Sequence, residues 1–128
     1  MVRVRRAAVL LLLVVLAVES AVWESFYVAA RPFGHDLPVS AAIAAVGNVL
    51  IARWGARWLP GSYGAIVPGI AWLLVVLPLG VARAEGDVIV TGTSRGIALL
   101  LVGSLAVVVG AAIGTAGSRA TPGAPTSR

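Results

Sequence analysis

The sequence predicts an all-α fold: a four-helix transmembrane bundle with both termini in the cytoplasm (N-in/C-in). Three observations predict it. Four apolar runs, at 7–30, 38–59, 63–82 and 96–116, each approach the roughly 20 residues that a helix needs to cross a hydrocarbon core. A soluble domain of 128 residues has too much surface to bury all of them. Composition agrees, with 59% hydrophobic and 12% charged residues and a mean hydropathy of +0.99. The third observation is where the arginines fall.

Arg3, Arg5 and Arg6 precede the first run, Arg53 and Arg57 sit at the second-to-third turn, and Arg119 and Arg128 close the chain. An alternating path puts all of these on one side. The other side receives Arg31, Arg83 and Arg95, offset by Asp36, Glu85 and Asp87. Arginine-rich loops stay cytoplasmic, which sets the N-in/C-in orientation. A cleaved signal peptide is the rival reading of the N-terminus, but no small-x-small site precedes Glu19 and apolar character resumes after it. The net charge of +5 does not point to nucleic acid, because the arginines flank apolar runs and form no continuous basic face. They suit anionic lipid head groups, so the expected partner is a bilayer containing anionic lipids. Trp54 and Trp58 suit the cytoplasmic aromatic belt, and Trp23, Phe26 and Tyr27 the outer one. The expected location is a bacterial plasma membrane, multi-pass. All basic residues are arginine, and Ala, Val and Gly are abundant, as in products of GC-rich genomes.

The connections are short. In the first outer loop, Pro38 suits the first residue of the second helix. His35 beside Asp36 reads as a solvated loop residue rather than a ligand. Leu59-Pro-Gly-Ser62 is a tight interhelical turn. Pro68 and Pro78 each remove a backbone donor in the third run and predict a kink, unless the helix begins near Pro68. Thr93 or Ser94 suits the cap of the fourth helix. The tail, 117–128, is expected to be disordered and cytoplasmic.

Polar residues within apolar runs carry the functional reading. Counted at 1.5 Å per residue, Glu19 lies about 16 Å deep, Asn48 about 15 Å and Ser104 about 12 Å, with Trp72 at a similar level. One polar-capable side chain per helix therefore falls in one layer. A bare carboxylate there costs a few kcal/mol even on lenient scales, so Glu19 is expected to be mostly protonated and to face Asn48 and Ser104. Two readings stay open: a proton or cation site, or a neutral hydrogen-bonding residue that sets helix register. Glu24, about 9 Å from the outer surface, is expected to snorkel toward Arg31, Arg83 or Arg95.

Gly96, Gly103, Gly110 and Gly117 recur every seventh residue, and Gly110 with Gly114 forms a GxxxG. Such stripes let helices approach closely in lipid. Ala41, Ala45 and Ala52 form a matching stripe with Asn48 on the second run. The helix-packing residues Gly103, Gly110 and Gly114 read as intrachain packing, with a homodimer as the alternative.

The second half resembles a known group. The run Ala71-Trp-Leu-Leu-Val-Val-Leu-Pro-Leu-Gly80, then Arg83-Ala-Glu-Gly-Asp-Val88, then Ser94-Arg-Gly96, is similar to small four-span actinobacterial membrane proteins of unknown function. Their outer loop carries Arg-Pro-Glu-Gly-Asp, where this chain has Ala84 at the proline position. Leu37-Pro-Val39, Gly47-Asn-Val-Leu50 and Arg53-Trp-Gly-Ala-Arg57 are also similar, so the resemblance covers 37–113. It implies genomic proximity to a mycothiol-biosynthesis deacetylase and no activity. The outer-loop residues Arg83, Glu85, Gly86, Asp87 and Arg95 are the candidates it singles out, read first as an internal staple and second as a partner-docking motif.

With no cysteine and no nucleophile or paired-acid constellation, no enzyme, metal or cofactor is expected. The leading expectation is a non-enzymatic accessory or scaffold subunit for another membrane protein. The alternative is a small proton-coupled transporter using a midplane glutamate, although the arginine bias argues against the dual topology of small multidrug exporters.

Overall fold

A computed structural model describes residues 1–29, 34–35, 37–79 and 93–119, the side chains of 117–119 excepted. Four helices follow one another: α1 (Val2–Tyr27), α2 (Val39–Trp58), α3 (Tyr63–Leu79) and α4 (Ser94–Arg119). The fold is all-α.

Three of these helices are long and apolar enough to cross a membrane: Val2–Tyr27, Val39–Trp58 and Ser94–Ala116. At 17 residues α3 is apolar but shorter, rising about 26 Å against a ~30 Å core. The third span expected over 63–82 is thus described only to Leu79. The fourth helix runs on to Arg119, into the segment expected to be a disordered tail; residues 120–128 lie outside the described ones.

Helix ends follow local chemistry. Pro38 is the N-cap of α2 rather than its first residue. Thr93 precedes α4, and its Oγ1 accepts from the Gly96 N–H at 3.5 Å. At the α2–α3 turn, Leu59 leaves the helix in an extended conformation and donates its N–H to Gly55 at 3.0 Å. Gly61 then takes φ 73°, a left-handed conformation that glycine adopts without Cβ strain. The helix α3 is continuous across Pro68 and Pro78. Pro68 has no N–H for the Gly64 carbonyl. That carbonyl instead lies against Gly55 of α2, where a Cβ on either glycine would collide with the other's carbonyl.

The helices form a rhombus. The most extensive packing joins α2 to α4, α1 packs on both α2 and α3, and α4 meets α3 more thinly. The interior is built mainly from small residues: Ala17, Ala21, Ala41, Ala44, Ala52, Ala56, Ala65 and Ala106 are all buried. Leu, Ile and Val dominate the outside, with Leu11, Leu74, Leu101, Leu105 and Val108 each more than 60% exposed. Soluble monomers rarely expose so much contiguous apolar surface. In lipid, where no hydrophobic effect drives helices together, small interior residues permit the close approach that dispersion needs. The inverted pattern supports a small multi-pass membrane protein.

Candidate functional site

One buried polar layer touches all four helices, and it is not the layer expected. The carboxyl of Glu24 on α1 is fully buried. Its Oε2 accepts from the indole Nε1–H of Trp72 on α3 at 2.6 Å, and its Oε1 is hydrogen-bonded to Ser20 one turn earlier. An indole N–H can only donate, so Oε2 must accept; a serine hydroxyl can donate or accept. The site therefore satisfies the carboxyl whether it is charged or neutral.

Trp72 is also fully buried. Its six-membered ring lies against Gly103 on α4, so closely that a Cβ there would stand 2.6 Å from Cζ2. The Gly103 carbonyl accepts from Asn48 Nδ2 on α2 at 3.2 Å. Glu24, Trp72, Gly103 and Asn48 thus form one chain of contacts from α1 through α3 and α4 to α2. Gly47 of α2 faces the same pair: a Cβ there would stand 3.6 Å from Glu24 Oε1, an ordinary contact, and 3.3 Å from Ser20 Oγ, a tight one.

Two sequence expectations are corrected here. Glu19 does not face Asn48 and Ser104; its side chain is exposed on the outer face of α1. The interior stripe of α1 is Leu13, Ala17, Ala21, Glu24, Ser25 and Val28, and Glu19 points to the opposite side of the helix, about 180° from the middle of that stripe. Glu24 does not snorkel outward but turns into the core. The legible signal was Ala17-x-x-x-Ala21-x-x-x-Ser25, a small-residue row that marks the packing side of a membrane helix.

Other singled-out residues fall as follows. Asn48 is buried at 2% exposure. Ser104 donates to the Leu100 carbonyl of its own helix at 2.6 Å. Gly110 lies against Val49 and Ala52 of α2, and Gly114 against Arg53 and Ala56. Of the outer-loop motif, Arg83, Glu85, Gly86 and Asp87 lie outside the described residues. Arg95 is in the first turn of α4 and half-buried. Ser40 Oγ is buried without a hydrogen-bond partner among the described residues. Within those residues no three His, Asp or Glu side chains converge as a metal site would require.

Compared with known proteins, the chain matches no family model, no curated protein and no solved structure. It stands as a small helical protein with three to four apolar helices and no family identified.

Proposed function

We propose that this chain is a non-enzymatic accessory or scaffold subunit, N-in/C-in in a bacterial plasma membrane, that docks on another membrane protein through the outer face of α1. The observation that carries the reading is Glu19. It sits on an apolar helix face between Leu16 and Trp23, both exposed, about 12 Å below the Tyr27 end of the helix. Ionisable side chains at that depth face a protein interior or a water-filled cavity, and pair there. Among the described residues Glu19 has neither surrounding, so a neighbouring helix carrying a donor at that level is the natural cover. The buried acid, Glu24, is held on both oxygens by Ser20 and Trp72, which suits a structural tie better than a turnover site.

Copurification of the full chain from native membranes in mild detergent tests this. The expected result is a stoichiometric partner that Glu19→Leu releases while the isolated bundle keeps its thermal stability. A second copy of the chain released by the same substitution would make Glu19 a homodimer contact. Retention of the same partner by Glu19→Leu would overturn the reading. Proton-coupled flux by the lone chain, lost in Glu24→Gln, would establish the transporter instead.

A further inference from the structure

At the opposite end of α1 the surface has a different chemistry. The first turns of α1 and the last turns of α2 run side by side, and Arg5, Arg6 and Arg57 gather around Trp58 in adjoining grooves. Arg53 joins them beside Trp54. All four guanidinium side chains are exposed. The described acidic residues, Glu19 and Glu24, lie elsewhere, and neither lines these grooves. The indoles of Trp54 and Trp58 stack with centroids 6.5 Å apart and planes 12° from parallel, an offset arrangement favoured by aromatic quadrupoles. Below the stack the surface turns wholly apolar. A groove between α1 and α2 is lined by Val9, Leu12, Leu13 and Leu16 together with the two tryptophans.

We propose that this end of the bundle is a binding site for one anionic glycerophospholipid. Its phosphate is held by Arg5, Arg6 and Arg57 beside Trp58, and an acyl chain lies in the Leu12–Leu16 groove. Two features must coincide for this ligand and do. Guanidinium groups recognise phosphate bidentately, with more geometric selection than a point charge offers. The apolar groove continues directly from the cationic one, with Trp58 lining both, as the join between head group and chain requires. Tryptophan suits that join because its ring is apolar and its N–H seeks a polar partner. Basic pockets between membrane helices take anionic head groups in the same way. A soluble phosphate would use the arginines and leave the groove bare. A second protein helix would cover the groove but leave clustered guanidinium groups without counter-charge. The site needs only a bilayer around the bundle and is independent of any partner at Glu19.

Lipid retention by the purified full chain tests it, read by native mass spectrometry after exchange into detergent micelles containing equal phosphatidylglycerol and phosphatidylcholine. Phosphatidylglycerol is expected to be retained preferentially. Arg6→Gln and Arg57→Gln should each lower that preference about fivefold, the scale of one basic side chain at an anionic surface. Arg3→Gln makes the same charge change outside the grooves and should have much less effect. Leu12→Trp should reduce retention by filling the chain groove, with helix content by circular dichroism unchanged. Equal losses in Arg3→Gln and Arg6→Gln would mean diffuse charge attraction and overturn the site. Full competition by glycerol phosphate would mean a free-anion site and overturn the acyl component. A dimer that forms at the expense of bound lipid would assign the groove to a second copy.

Discussion

Trp72 donates its indole N–H to Glu24 across the bundle at 2.6 Å, and the far edge of the same ring rests on Gly103. One side chain thereby sets the spacing of α1, α3 and α4. Trp72→Phe keeps most of the ring but removes the donor. It should destabilise the bundle by roughly 0.5–2 kcal/mol, the range for an interhelical hydrogen bond in membranes. Glu24→Gln keeps an acceptor for Trp72 and a donor for Ser20 and should cost less. Glu24→Leu leaves the indole unpaired and should cost as much as Trp72→Phe. Reversible unfolding in mixed micelles measures all three. Additive effects of Trp72→Phe and Glu24→Leu would show that the two residues are not coupled.

Gly103→Ala places a methyl group into the Trp72 ring. Because Trp72 is fully buried and tied at its nitrogen, it cannot swing aside, and the expected loss is about 1–3 kcal/mol, as for overpacked cores. Gly110→Ala meets the Val49 carbonyl at 2.5 Å and should behave alike. Leu105→Ala, on the exposed side of the same helix, serves as the contrast and should shift stability by less than about 0.5 kcal/mol. Equal effects at all three positions would separate the glycine stripe from interhelical packing.

Asn48 reaches the Gly103 carbonyl from α2 at 3.2 Å. Asn48→Ala should cost about 0.6 kcal/mol, the average for such bonds in a membrane bundle. Asn48→Asp should cost more, because a carboxylate cannot donate to that carbonyl and brings charge into the core. A milder effect for Asp than for Ala would imply that water reaches the layer.

The proposed orientation places the α2–α3 turn in the cytoplasm with the N-terminus. Cysteine introduced as Ser62→Cys should resist a membrane-impermeant thiol reagent in intact cells, and His35→Cys should react. Both positions are exposed in the fold, and the chain has no native cysteine to interfere. The opposite labelling pattern would invert the topology.

The sequence by itself determined the class of this protein. Run length and apolar content are additive along the chain, so they mark the helices α1, α2 and α4 wherever the chain folds. The placement of Arg5, Arg6, Arg53 and Arg57 near run ends was equally plain. Asn48 and Trp72 belong to the buried polar layer, but its acid is Glu24 and not Glu19. What only the tertiary structure decided was rotation. Glu19 and Glu24 are both acids in one apolar run, about 140° apart around a helix of 3.6 residues per turn. Hydropathy cannot tell which of them faces inward. The Ala17–Ala21–Ser25 row settles it by packing, because only that face lets α1 approach α2 and α3 closely enough for Trp72 to reach a carboxyl. The same holds for α4, where seven-residue glycine spacing announced a contact face, but the partner of Gly103 is a tryptophan ring supplied by another helix. Length and composition are properties of each segment; partners and facing belong to the assembled bundle.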